Sequence, residues 1–196
     1  MPIQPMGTTS FATGDPLVFQ PFPLLRNAHL QTMLGHWLRV PARVPSRTEI
    51  VDLSDGDRLA LEISEPIGDA APARTVVLIH GLAGCHESAY LVRVAAKLVR
   101  RGMRAVRLNL RGCGSGAGLA RGIFHSGQSD DLRQTIEALR ARGQGSRVSV
   151  IGFSLGGNIA LKLAGELGER GPELVDRVLA VCPPADLERC ANLISR

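Results

Sequence analysis

Residues Thr75 to His80, TVVLIH, form an unbroken apolar run rich in β-branched side chains, and so short a run is stable as a strand only when both of its faces are covered. Similar runs occupy Arg104 to Asn109, Arg147 to Gly152 and Arg177 to Cys182. Between them the apolar residues switch to helical spacing: Leu91, Val94, Ala95, Leu98 and Val99 before Gly102, Leu132, Ile136 and Leu139 before Gly143, then Asn158 to Leu167. Ser88 and Asp130 stand where the caps of the first two helices belong. Upstream, Thr48 to Leu53 and Arg58 to Ser64 flank Asp55-Gly56, a turn dipeptide that predicts an antiparallel pair. This alternation predicts an α/β fold, a three-layer sandwich around a mostly parallel sheet of about six strands.

At 196 residues the chain is long enough for one such core. Residues 46–196 carry the pattern, and 1–45 read as a proline-rich arm with one short helix through Leu30, Met33, Leu34, Trp37 and Leu38. The net charge of +5 is spread along the chain and only 4% of it is aromatic, which argues against a nucleic-acid face. The four cysteines, Cys85, Cys113, Cys182 and Cys190, form no C-x-x-C pair and fit reduced thiols in a cytoplasmic protein. No apolar stretch is long enough for a signal peptide or a membrane span.

The chemistry centres on Gly152-Phe153-Ser154-Leu155-Gly156, a G-x-S-x-G motif lying between a predicted strand and a predicted helix. A serine on that turn stands at the carboxyl edge of the sheet and at the positive end of a helix, placed to attack a carbonyl. Gly152 and Gly156 leave room for the tight backbone. A second glycine-rich turn, His80-Gly81-Leu82-Ala83-Gly84, follows the first central strand, and the amides of Leu82 and Leu155 are the candidate oxyanion donors.

With these motifs in place, the chain resembles the α/β-hydrolase superfamily and, within it, the AB-hydrolase type 4 group of YheT-like hydrolases and abhydrolase-domain lipases. The matching segments are RNAHLQTMLG (Arg26 to Gly35), HGLAGCHESAYL (His80 to Leu91), RLNLRGCG (Arg107 to Gly114), HSGQSDDLR (His125 to Arg133) and GFSLGGNIALK (Gly152 to Lys162). The resemblance implies a carboxylesterase or acylglycerol lipase acting on a small-molecule ester without a cofactor. It assigns Ser154 as nucleophile, Leu82 and Leu155 as oxyanion donors, and His80 and Gly81 as supports of the oxyanion loop.

Such enzymes run in chain order from serine to acid to histidine, yet all five histidines here, His29, His36, His80, His86 and His125, precede Ser154. The resemblance implies about eight strands, so the chain reads as an incomplete core whose missing last strands carry the acid and the base. His80 and His125 are weak substitutes for the base, and Asp186 reads first as a helix cap and only second as a catalytic acid. The other reading is a catalytically incomplete or purely binding hydrolase-like domain. The strand Arg177 to Cys182 would then be an apolar edge open to self-association. The run Gly112-Cys113-Gly114-Ser115-Gly116-Ala117 mimics a dinucleotide fingerprint, but no periodic helix follows it at once, so an oxidoreductase is set aside. Neither a phosphate loop nor metal-ligand spacing is present in the sequence.

Overall fold

The computed structural model describes residues 21, 26–37, 43–68, 71–143 and 147–195. Two compact units emerge, Met1–Val40 and Pro41–Arg196. In the first, helix α1 spans Ala28–Trp37, and the side chain of Asn27 caps it by accepting from the backbone N–H groups of His29 and Leu30 at 2.9 and 3.2 Å. Leu38, assigned to this helix from its spacing, lies outside the described residues, as does most of the predicted arm.

The second unit is built on a six-stranded sheet in the order β1-β2-β4-β3-β5-β6. Strands β1 (Arg47–Asp52) and β2 (Arg58–Ser64) form the predicted antiparallel pair, joined at Gly56 with a φ of +86°. β2 runs antiparallel to β4 (Arg104–Leu108), whereas β4, β3 (Thr75–Ile79), β5 (Val148–Phe153) and β6 (Arg177–Val181) are mutually parallel. The crossovers carry helices α2 (Ala89–Val99), α3 (Ser129–Ala141), α4 (Leu155–Leu167) and the short α5 (Gly171–Leu174), and α6 (Leu187–Ile194) follows β6.

The period of two in β3 divides the core between the faces of the sheet. Val76 and Leu78 pack with Leu91, Ala95 and Val99 of α2 on one side. Val77 and Ile79 join Leu132, Ile136 and Leu139 of α3 and Ile159 and Leu163 of α4 on the other. This gives the predicted three layers.

Three local expectations need correction. The Ser88 hydroxyl makes no cap bond to α2; it accepts from the Cys85 N–H at 3.0 Å and tightens the preceding loop. Asp130 does not cap α3, which begins at Ser129. It lies in the exposed first turn, where Arg133 and Gln134 donate to it. Helix α4 starts at Leu155 rather than Asn158, because it opens directly from the turn at Ser154.

Asp131, which follows Asp130 in α3, is buried. Together with Asp57 it holds the buried Arg111 guanidinium, at 2.7 Å from each carboxylate. Asp57 also accepts the backbone N–H groups of Arg121 and Gly122, which holds its carboxyl below the usual range and ties the loop before α3 to the β1–β2 turn.

Candidate active site

Ser154 occupies the single position between β5 and α4 with φ +51° and ψ −117°, a conformation that side chains other than hydrogen strongly disfavour. Its N–H donates to the Val181 carbonyl of β6 at 2.9 Å and its carbonyl accepts from the Asn158 N–H of α4 at 3.1 Å, so β6 and α4 hold the turn in place. The flanking glycines are sterically required. A Cβ on Gly152 would collide with the Gly156 carbonyl, and one on Gly156 would come within 2.6 Å of the His80 carbonyl. The side chain of Ser154 is consequently presented to solvent.

The loop after β3 closes against it. A Cβ on Gly81 would lie 3.1 Å from that of Ser154 and 3.6 Å from its Oγ, so only glycine brings this backbone so near. The Gly81 N–H donates to the Tyr90 hydroxyl at 3.0 Å, and the Tyr90 ring packs on Phe153 with centroids 4.9 Å apart. His80 is fully buried. Its Nδ1 lies 2.7 Å from the Gly81 carbonyl and its Nε2 accepts from the Leu110 N–H at 3.2 Å. This pairing makes Nδ1 the donor, and burial depresses the imidazole pKa, so the ring is neutral. Farther along, the His86 N–H donates to Asn109 Oδ1 at 2.9 Å and Arg107 donates to the His86 carbonyl at 3.0 Å. Among the described residues neither the Leu82 N–H nor the Leu155 N–H is taken up by a turn or side-chain hydrogen bond. Leu155 opens α4, so its amide is one of the donors a helix start leaves unpaired.

The structure thus brings Gly81, Ser154, Gly156 and the His80 carbonyl together at the carboxyl ends of β3 and β5. Among the described residues, the three non-glycine ones with positive φ, Ala83, Ser154 and Cys182, follow β3, β5 and β6 at this same end of the sheet. Tyr90, Arg107 and Asn109 were not singled out from the sequence. Their work is to hold a loop backbone, which leaves no signal in spacing or composition.

None of His80, His86 and His125 is bonded to Ser154. His80 uses both ring nitrogens elsewhere, His86 Nδ1 lies 3.1 Å from Asn109 Oδ1, and the exposed His125 accepts the Gly127 N–H through Nδ1. Asp186 caps α6, accepting from the Arg189 N–H at 2.9 Å. Among the described residues there is no cluster of three or more metal-ligating side chains, and no helix long and apolar enough to cross a membrane.

The family described as the alpha/beta hydrolase fold matches residues 74–195, and the chain belongs to it. It is 32% identical over 174 residues to YheT of Escherichia coli (strain K12), a protein named as an esterase, covering 88% of this chain and 50% of that one. It is 27% identical over 128 residues to the monoacylglycerol lipase of Saccharomyces cerevisiae, covering 65% and 28%. Among solved structures, the Pyrococcus furiosus esterase Pf2001 superposes with a TM-score of 0.60 at 19% identity, over 76% of this chain and 59% of that one. The chain therefore spans half or less of the length of these curated relatives, and their names support a hydrolase function.

Proposed function

We propose that the chain carries the nucleophile and oxyanion half of a serine hydrolase that cleaves carboxylic esters, of short-chain or acylglycerol type, through an acyl-enzyme. Ser154 Oγ bonds to the ester carbonyl carbon while its proton passes to a base, and the Leu82 and Leu155 amides hold the oxygen that becomes negative. The oxyanion collapses, the alcohol leaves with that proton, and water then repeats the sequence to release the carboxylic acid and regenerate the serine. The observation that carries this reading is the strained Ser154 with the Gly81 backbone close against it. His80 and Gly81 support the loop, and no step calls for a cofactor. The base is none of His80, His86 and His125.

A second reading, a catalytically incomplete or binding domain, is favoured by one observation: Ser154 Oγ has no hydrogen-bond partner among the described residues. In either reading the outer edge of β6 is where a second chain would pair.

Hydrolysis of p-nitrophenyl butyrate, with and without added imidazole as a diffusible base, separates the two. The hydrolase reading expects imidazole to raise a turnover that the Ser154→Ala variant lacks. A rate that stays equal in the two proteins at every imidazole concentration selects the binding domain.

A further inference from the structure

A groove of about 550 Å³ opens at the other end of the sheet from Ser154. Glu65 on its wall is held by Arg104, the first residue of β4, and β4 runs parallel to β3 and β3 to β5, whose opposite end leads into Ser154. Its floor is apolar, made by Val44, Ile63 and Val99. Ile67 is 81% exposed, an uncovered aliphatic side chain at the rim.

The charges around this floor are uneven. Glu65, its one carboxylate, is already held by Arg47 at 2.8 Å and Arg104 at 2.9 Å. Arg43 and Arg100 line the same groove, are exposed, and make no ion pair with a described residue. Helix α2, which forms the second wall, contains no acidic residue and exposes Arg93 and Lys97 in line with Arg100. A cation at the end of a helix is ordinarily explained by the helix dipole, which accounts for Arg100 but not for Arg43, which precedes β1. Apolar floor and paired cations together match a ligand with an alkyl chain and one anionic head, and a guanidinium suits a carboxylate head through paired N–H donors. The volume is that of an ordinary small-molecule site.

We propose that this groove binds a fatty carboxylate, its chain along Val44, Ile63, Ile67 and Val99 and its head between Arg43 and Arg100. The site is separate from Ser154 and does not depend on the catalytic reading.

Titrating the chain with laurate labelled with ¹³C in the carboxyl group, below the concentration at which it forms micelles, tests this directly. The expected result is saturable binding of one laurate per chain, unchanged in Ser154→Ala, and weakened about tenfold or more in the doubly substituted Arg43→Glu/Arg100→Glu protein. An unchanged melting temperature in that variant shows that the fold survives, and Ile67→Asp, a rim substitution, should weaken binding independently. Non-saturable binding, affinity equal to that of dodecanol, or affinity indifferent to the two arginines overturns the proposal. So does loss of binding in Ser154→Ala, which would place the ligand at the serine. Cosedimentation with anionic vesicles in the absence of laurate binding would make this face a membrane contact instead.

Discussion

Strands β3 and β6 belong to one parallel sheet and have opposite surroundings. Every residue of β3 is buried, with strands on both sides and helices on both faces, while β6 is an edge strand on which Leu179 is 55% exposed. The loop after β3 is fixed by His80, Tyr90, Asn109 and Arg107, and the turn after β5 by its glycines. Beyond β6, the described chain continues into α6, an exposed helix capped by Asp186. The contrast teaches that the preorganised part of the site is the part made of backbone: N–H groups, strained φ angles and glycines that permit close approach. Such a site needs a packed sheet behind it. A base, by contrast, is a single side chain that can come from elsewhere.

The largest expected effect contrasts two glycines only a helix apart. Gly152→Ala forces a Cβ into the Gly156 carbonyl and should cost about 4 kcal/mol or more in urea unfolding. Gly165→Ala, in the outer part of α4 with open space around it, should stabilise by about 0.5–1 kcal/mol. Similar costs at both sites would mean that the elbow is not the tightly packed region. Next in size, Ser154→Gly should stabilise the fold by about 1 kcal/mol by releasing the strained φ and ψ, whereas Ser154→Ala should not. Equal stability of the two variants would show that the turn stores no strain.

His80 gives a smaller, pH-dependent effect. Its folded pKa lies below the ordinary 6.5, so the folded state resists protonation. The stability linked to it is complete above the unfolded pKa and is lost as pH falls from there through the folded value. The urea midpoint of the unsubstituted chain should therefore drop more between about pH 7.5 and about pH 5.5 than that of His80→Gln. Parallel curves would refute the buried, doubly bonded ring. Smallest of all, Leu179→Lys on the edge strand β6 should change stability by less than about 0.5 kcal/mol and lower any self-association seen in sedimentation velocity, whereas Leu78→Lys on the buried β3 should not fold.

Much of this was legible in the sequence because the fold is written in periodicity. TVVLIH could be stable only with both faces covered, and Leu132, Ile136 and Leu139 recur at the spacing of the helix they form. The turn at Ser154 was legible because glycines at Gly152 and Gly156 answer a steric demand that reaches only four residues along the chain. Caps were less legible: Ser88 and Asp130 have the right chemistry, yet a loop amide and two neighbouring side chains claimed them. The buried partnership of Arg111 with Asp57 and Asp131, and the hold of Tyr90 and Asn109 on the loop after β3, join residues far apart in sequence. Only the topology of the sheet brings them together.

The central claim, that Ser154 is a nucleophile preorganised by backbone and short of a base, is tested most directly by intact mass spectrometry of the chain after exposure to a fluorophosphonate probe. The account predicts a single slow adduct, absent from Ser154→Ala and formed faster as imidazole is added. An adduct that persists in Ser154→Ala, or no adduct even in concentrated imidazole, would contradict it.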